Sequence, residues 1–195
     1  MRRMLRPSMP ALAGLLLLAA AAPAQEPAAR HGRVVPARPV STYSVVARDS
    51  ATGRLGVAVQ SHWFSVGSVV PWARAGVGAV ATQSFTDPSY GSLGLRLLEI
   101  GRSPERALAG LVEADPSPEV RQVGMVDDRG RVAVHTGERA IPHACHRTGD
   151  GFTVQANLMH RPGVCEAMHR TYRSHGGDLA ARLVAALHAA QEVGG

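Results

Sequence analysis

A chain of 195 residues is long enough for one well-packed domain and short for two. Its formal net charge of +6 is carried by Arg alone, and the absence of Lys excludes a P-loop, a Schiff-base lysine and a Ser–Lys dyad as the source of chemistry. With no basic run and no interleaved aromatics in the folded part, the charge gives no footing for nucleic-acid binding.

Residues 1–24 read as an export signal. Arg2, Arg3 and Arg6 precede the apolar run Ala11–Ala22, and Ala22-Pro23-Ala24 offers the small residues of a cleavage site after Ala24. The run is shorter than the roughly 20 apolar residues of a spanning helix, so no stable membrane anchor is expected. Losing the three Arg takes the charge from +6 to +3. Cys145 and Cys165 travel with the exported chain, where a single disulfide has only one connectivity. Residues 25–41, rich in Pro, Ala and Arg and without period, read as a linker or propeptide.

Regular structure is expected from Thr42. Thr42–Arg48 and Leu55–Ser61 read as two strands of a hairpin around Asp49-Ser50-Ala51-Thr52-Gly53, with both faces nearly apolar and therefore covered. A third strand follows at Gly76–Gln83, whose small residues permit close backbone approach. Two helices come next, Tyr90–Ile100 and one opening at Ser103-Pro104 with the stripe Ala107, Leu108, Leu111 and Val112. A second hairpin, Arg121–Val126 and Arg131–His135, turns at Asp127-Asp128-Arg129-Gly130, which is turn chemistry rather than a metal pair. A strand over Phe152–Leu158 and two helices, Val164–Arg173 and one capped by Asp178, complete the chain. Strands and helices in separate blocks argue for an α+β layered sandwich.

The segments Thr42–Asp49, Leu55–Ser61, Gly67–Ala73 and Gly76–Gln83 resemble a bacterial domain-of-unknown-function family, number 1028, classed as N-terminal-nucleophile (Ntn) hydrolase-like. Arg121-Gln122-Val123-Gly124, Gly137-Glu138-Arg139, His146-Arg147-Thr148-Gly149 and Val154-Gln155-Ala156-Asn157 extend the likeness through the chain. The resemblance implies a four-layer αββα sandwich, two antiparallel sheets face to face with helices outside, over residues 42–195. It also implies a further Arg-containing segment and an apolar strand beyond Gly195. For chemistry it implies a hydrolase whose nucleophile is the first residue of the mature chain, here Thr42.

A Thr hydroxyl needs an adjacent base, and a free α-amine, with a pKa of about 8, can serve. Export processing alone leaves residues 25–41 in place, so a second cut at Ser41–Thr42 is required. The alternative is that Thr42 merely opens a strand, where β-branched residues are common, in a non-catalytic binding or scaffold domain of the cell envelope.

Asn157 and Gln83, at strand ends, are candidate amide donors to an oxyanion. His62 stands where the resemblance implies Lys, near the amine. Trp72 and Tyr90 are candidates to line a substrate cleft, with Ser84 and His146 as further substrate-binding candidates. His143, Cys145 and His146 lack the spacing of a zinc site, and neither a metal nor another cofactor is expected. The expected partner is a small-molecule or peptide amide: a peptide, an acylated amine or a cell-envelope fragment. Self-association into a homo-oligomer stays open.

Overall fold

The computed structural model describes residues 41–195; the export signal and nearly all of the linker lie outside the described residues. Eight strands and four α-helices follow in the order β1 (Thr42–Arg48), β2 (Leu55–Ser61), β3 (Pro71–Arg74), β4 (Gly78–Ser84), α1 (Ser89–Glu99), α2 (Pro104–Ala114), β5 (Arg121–Asp127), β6 (Val132–Thr136), β7 (Cys145–Gly149), β8 (Phe152–Asn157), α3 (Val164–Ser174) and α4 (Leu179–Val193). They form two antiparallel four-stranded sheets, β2-β1-β8-β7 and β3-β4-β5-β6.

The period-two alternation of a strand explains how each sheet is used. On β1, Tyr43, Val45 and Ala47 join Phe152, Val154 and Ala156 of β8 in a cluster with Met168 and Tyr172 of α3 and Leu179, Leu183 and Ala186 of α4. The intervening residues point the other way: Val46 packs with Ala79, Ala81 and Val126 of the second sheet, and Ser44 donates to Gln83 of β4 at 2.7 Å. Val80, Val123 and Met125 turn from that layer to meet Tyr90, Leu95 and Leu98 of α1 and Ala107 and Leu108 of α2. Each large apolar side chain so buried is worth about 1.5–3 kcal/mol against exposure.

Local chemistry agrees with these boundaries. Ser103 accepts from the N–H of Arg106 ahead of Pro104, and Asp178 accepts from the N–H of Ala181, so α2 and α4 start at side-chain caps. The turn after β5 is organised by Asp127, whose carboxylate accepts from the N–H groups of Arg129 and Arg131 and pairs with the Arg131 guanidinium at 2.6 Å. Cys145 at the start of β7 and Cys165 in the first turn of α3 form a disulfide across a Cα separation of 6.0 Å. It ties the edge of the first sheet to the helix that covers it, and it commits Cys145 to sulfur pairing rather than metal ligation.

Two strands go beyond those expected from sequence: β3, on the edge of the second sheet, and β7, on the edge of the first. The four-residue β3 begins with Pro71, tolerated because an edge strand leaves backbone donors unused. The sequence of β7, Cys-His-Arg-Thr-Gly, has no apolar alternation because its residues are half-buried or exposed.

Candidate active site

The sheets bring Thr42, Ser61 and Asn157 together at one end of the first sheet. Thr42 is the direct partner of Ser61 on β2 and of Asn157 on β8. Directly paired residues project to the same face, here the face toward the second sheet. Thr42 is only 5% exposed, and its Oγ1 lies 2.8 Å from Ser61 Oγ. Ser61 also accepts from the N–H of Trp63 at 3.2 Å, which fixes its orientation.

The residue before Thr42 is also buried and placed, through longer contacts. Ser41 is 6% exposed, its hydroxyl donates to the carbonyl of Leu158 at 3.4 Å, and its carbonyl accepts from the backbone N–H of His62 at 3.4 Å. The Ser41–Thr42 peptide bond therefore has a hydroxyl on one side and a carbonyl-directed donor on the other.

Beside Thr42 lies a cavity of about 220 Å³, lined on its polar side by Thr42, Ser61, Gln83, Ser84 and Thr86 and elsewhere by Trp63, Phe64, Val66, Val69 and Val70. Ser84, the last residue of β4, and Leu158, just after β8, have φ of 71° and 60°, and Ser65 in the cavity loop has φ of 58°. Non-glycine residues in the left-handed region cost on the order of 1–3 kcal/mol each and concentrate where the surrounding structure must aim a group. A larger cavity of about 590 Å³ lies at the opposite end of β1 and β2. Its polar groups belong to the β1–β2 turn, where the Thr52 hydroxyl donates to Asp49 at 2.7 Å, to the β3–β4 turn and to the Asp178 helix cap.

A buried chain of amides and hydroxyls runs back from the site between the sheets. Ser44 donates to Gln83 at 2.7 Å, Gln83 donates to Gln122 at 2.7 Å, and Asn157 donates to the same Gln122 oxygen at 3.1 Å. Gln122 in turn donates toward Thr136 and the carbonyls of Cys145 and Ala156, while Gln155 donates to Ser44 at 2.7 Å. Gly124 is required where this layer is tightest: a Cβ there would collide with the Gln155 amide and with Thr153.

The sequence candidates divide accordingly. Thr42, Gln83 and Ser84 line the cavity, and Asn157 stands next to Thr42 with its amide bonded into the interior. The imidazole of His62 is exposed against Trp63 and does not line the cavity; the backbone N–H of His62 is the group that reaches Ser41. Trp72 lies on β3 rather than on a loop, packs over Gly91 in the α1 cluster and donates to the Val69 carbonyl at 2.9 Å, so it does not line this cavity. Tyr90 is buried in α1 and donates to Asp115 at 3.0 Å, also away from the cavity. His146 sits at the far edge of the first sheet, where its Nδ1 meets the Thr136 hydroxyl at 2.9 Å. Partial burial, with Arg147 and His135 nearby, holds its imidazole below the ordinary histidine range.

Sequence reading assigned no role to Ser61, although it is the last residue of a recognised strand. Nor did it assign one to the clamp of Asp115 and Arg121. Arg121 Nε meets Asp115 at 2.7 Å and its Nη1 donates to the Phe85 carbonyl at 2.7 Å, which secures the segment between Ser84 and Thr86. The guanidinium, with the Ser117 N–H and the Tyr90 hydroxyl, overcomes burial and takes the Asp115 carboxyl down to about 2. Tyr90, buried and bonded to that carboxylate, is pushed up. Among the described residues no group of three or more His, Cys, Asp or Glu converges as a metal site, and no helix is long and apolar enough to cross a membrane.

Residues 42–195 match the model of the family of unknown function DUF1028. The chain belongs to that family. It is similar to the crystal structure of protein SPO2555 from Silicibacter pomeroyi, assigned to the same family model, with 28% identity and a TM-score of 0.76 over 80% of this chain and 69% of that one. No curated protein matches the chain. The family boundary at Thr42 coincides with the first residue of β1.

Proposed function

We propose that this DUF1028 protein is an exported amide hydrolase of the N-terminal-nucleophile kind, built as a four-layer αββα sandwich, in which Thr42 attacks once the Ser41–Thr42 bond is cut. The observation that carries the reading is the Thr42 hydroxyl, held against Ser61 beside a cavity, with the preceding carbonyl accepting from the His62 N–H. The reading of residues 1–24 as an export signal supports a secreted or periplasmic location, and the Cys145–Cys165 disulfide is consistent with an oxidising compartment.

In the uncut chain the Thr42 nitrogen is an amide and is no base. Attack of Thr42 Oγ1 on the Ser41 carbonyl carbon breaks the C–N bond, passes the hydroxyl proton to the departing nitrogen and leaves an ester, which water hydrolyses to a Ser41 carboxyl and a free Thr42 hydroxyl. The oxyanion formed on the way points at the His62 N–H, a contact that tightens as charge develops. Departure of Ser41 then frees that donor for a substrate carbonyl. The new α-amine, titrating near pH 8, takes the hydroxyl proton in each later turnover. Ser61 orients the nucleophile. Gln83 and Asn157 support the wall of the site through Gln122.

A second reading, a non-catalytic envelope binding or scaffold domain, is favoured by one observation: the Gln83 and Asn157 amides are bonded to the interior rather than aimed into the cavity. N-terminal sequencing and intact mass of the exported protein separate the two. A mature chain starting at Thr42, with the cut lost in Thr42→Ala, supports self-processing. A chain that keeps Gln25 as its first residue throughout rejects the catalytic reading.

A further inference from the structure

The nucleophile and its donors use only one side of the cavity. The other side is made by the loop after β2, and its chemistry is of one kind: Trp63, Phe64, Val66, Val69 and Val70. Among the described residues no ionisable side chain lines the cavity. An ionised group entering its apolar side would lose hydration without gaining a partner there. The loop is also built rather than slack. Ser68 donates to the Ser65 carbonyl through its hydroxyl, the Val70 N–H donates to Val66, and Trp72 Nε1 donates to Val69.

Around the mouth, Trp63 is 66% exposed and Phe64 98%, and Phe85, between the lining residues Ser84 and Thr86, is 57% exposed. The two large aromatic lining residues left in solvent, Trp63 and Phe64, mark a contact surface for an apolar ligand. The volume of about 220 Å³ is below the roughly 300–1,000 Å³ that encloses a whole drug-sized ligand. It fits one substituent, with the remainder of the molecule outside.

We infer that this side is an acyl pocket: with Thr42 as nucleophile, and so resting on the reading above, the protein acts on amides whose acyl portion is small, uncharged and apolar. A short aliphatic or benzoyl group seats against Val66, Val69 and Trp63. Thr42 Oγ1 bonds to the acyl carbon, the C–N bond breaks and the amine leaves with the hydroxyl proton. Water then cleaves the ester, releases the carboxylic acid and returns a proton to Thr42. The amine portion lies outside the cavity and is unrestricted in charge.

The exported protein is assayed with butyryl, benzoyl and succinyl para-nitroanilides. At about pH 9, where the Thr42 α-amine is neutral, the butyryl and benzoyl compounds are expected to exceed the succinyl compound in kcat/KM by about a hundredfold, because the succinyl carboxylate finds no cationic partner. Trp63→Ala raises KM for the benzoyl compound about tenfold, with a smaller change in kcat. A second measurement does not need turnover: butyramide perturbs tryptophan emission in the parent and in Thr42→Ala, sodium succinamate does not, and the butyramide response is lost in Trp63→Phe. Hydrolysis in which the succinyl compound equals or exceeds the other two, or an unchanged KM in Trp63→Ala, overturns the acyl pocket while the hydrolase reading stands. A butyramide response without hydrolysis of any anilide rejects the hydrolase reading and retains an apolar pocket. Absence of both the butyramide response and hydrolysis overturns the pocket itself.

Discussion

Thr42 and Ser61 are direct cross-strand partners whose hydroxyl oxygens lie 2.8 Å apart. The contact gives the candidate nucleophile a fixed rotamer before any substrate arrives, and Ser61 has its own tether in the Trp63 N–H. Ser61→Ala removes that orientation while leaving the backbone register intact. The expected result is a Ser41–Thr42 cut, followed by mass spectrometry, that is slowed about 10²-fold, within the range of single positioning contacts. Thr42→Ser is expected to retain the cut. A Ser61→Ala protein processed at the parent's rate would show that the contact is packing alone.

The hub of the buried chain is Gln122, which accepts from Gln83 and Asn157 and donates toward Thr136, Cys145 and Ala156. Gln122→Leu keeps similar bulk and strands two amide donors in a dry layer. A loss of about 3 kcal/mol in unfolding free energy is expected, since each unsatisfied buried polar group costs about 1–3 kcal/mol. Denaturant titration reads this as a lower midpoint at unchanged slope. A midpoint within error of the parent's would mean that water or rearrangement replaces the lost bonds.

Asp115 makes the acid limb of stability specific. The Arg121 guanidinium holds its carboxyl at about 2 in the folded protein, below the ordinary aspartate value of about 3.9. The folded state therefore holds the charged form more tightly, so this contribution is complete above the ordinary carboxylate pKa and disappears as pH falls through about 2. The difference corresponds to about 2 kcal/mol at neutral pH. Asp115→Asn is expected to be less stable than the parent at pH 7 by about that amount and to converge with it near pH 2. Thermal melts across the range decide the point, and parallel curves would reject it.

Reduction of Cys145–Cys165 releases a link between residues 20 apart. The chain-entropy estimate for a loop of that length is about 3 kcal/mol. Reductant is expected to lower the unfolding midpoint of the parent and to leave a Cys145→Ser/Cys165→Ser double variant unaffected. Equal midpoints for the parent with and without reductant would place the stability of α3 in its apolar contacts alone.

How much of this could be read from residues follows from where each signal resides. The β1–β2 hairpin, β4, β8 and all four helices announce themselves through alternation, helical spacing and the caps at Ser103 and Asp178. Strands β3 and β7 do not, because a short edge strand half in solvent needs no apolar pattern. Thr42 drew attention through the family resemblance, as the first residue of the matched region, and not through its strand. Ser61 was not, since nothing in a Gln-Ser strand end says which hydroxyl it will face; that is a matter of register. Trp72 and Tyr90 misled for a related reason: aromatic residues near glycine and proline suggest loop or cleft, but Gly91 in α1 provides the flat place where Trp72 lies against the helix.

The amide layer between the sheets has a consequence beyond its contribution to stability. Apolar faces can slide past one another by a residue pair and remain greasy on both sides, whereas Ser44–Gln83 and Asn157–Gln122 match only one alignment. A displaced alignment would present donors to donors and drive the Gln155 amide into something bulkier than Gly124. The layer thus acts as an index mark between two sheets. It sets where the end of β1 stands relative to the end of β4, and with it the distance across which Thr42 and Gln83 face the same cavity.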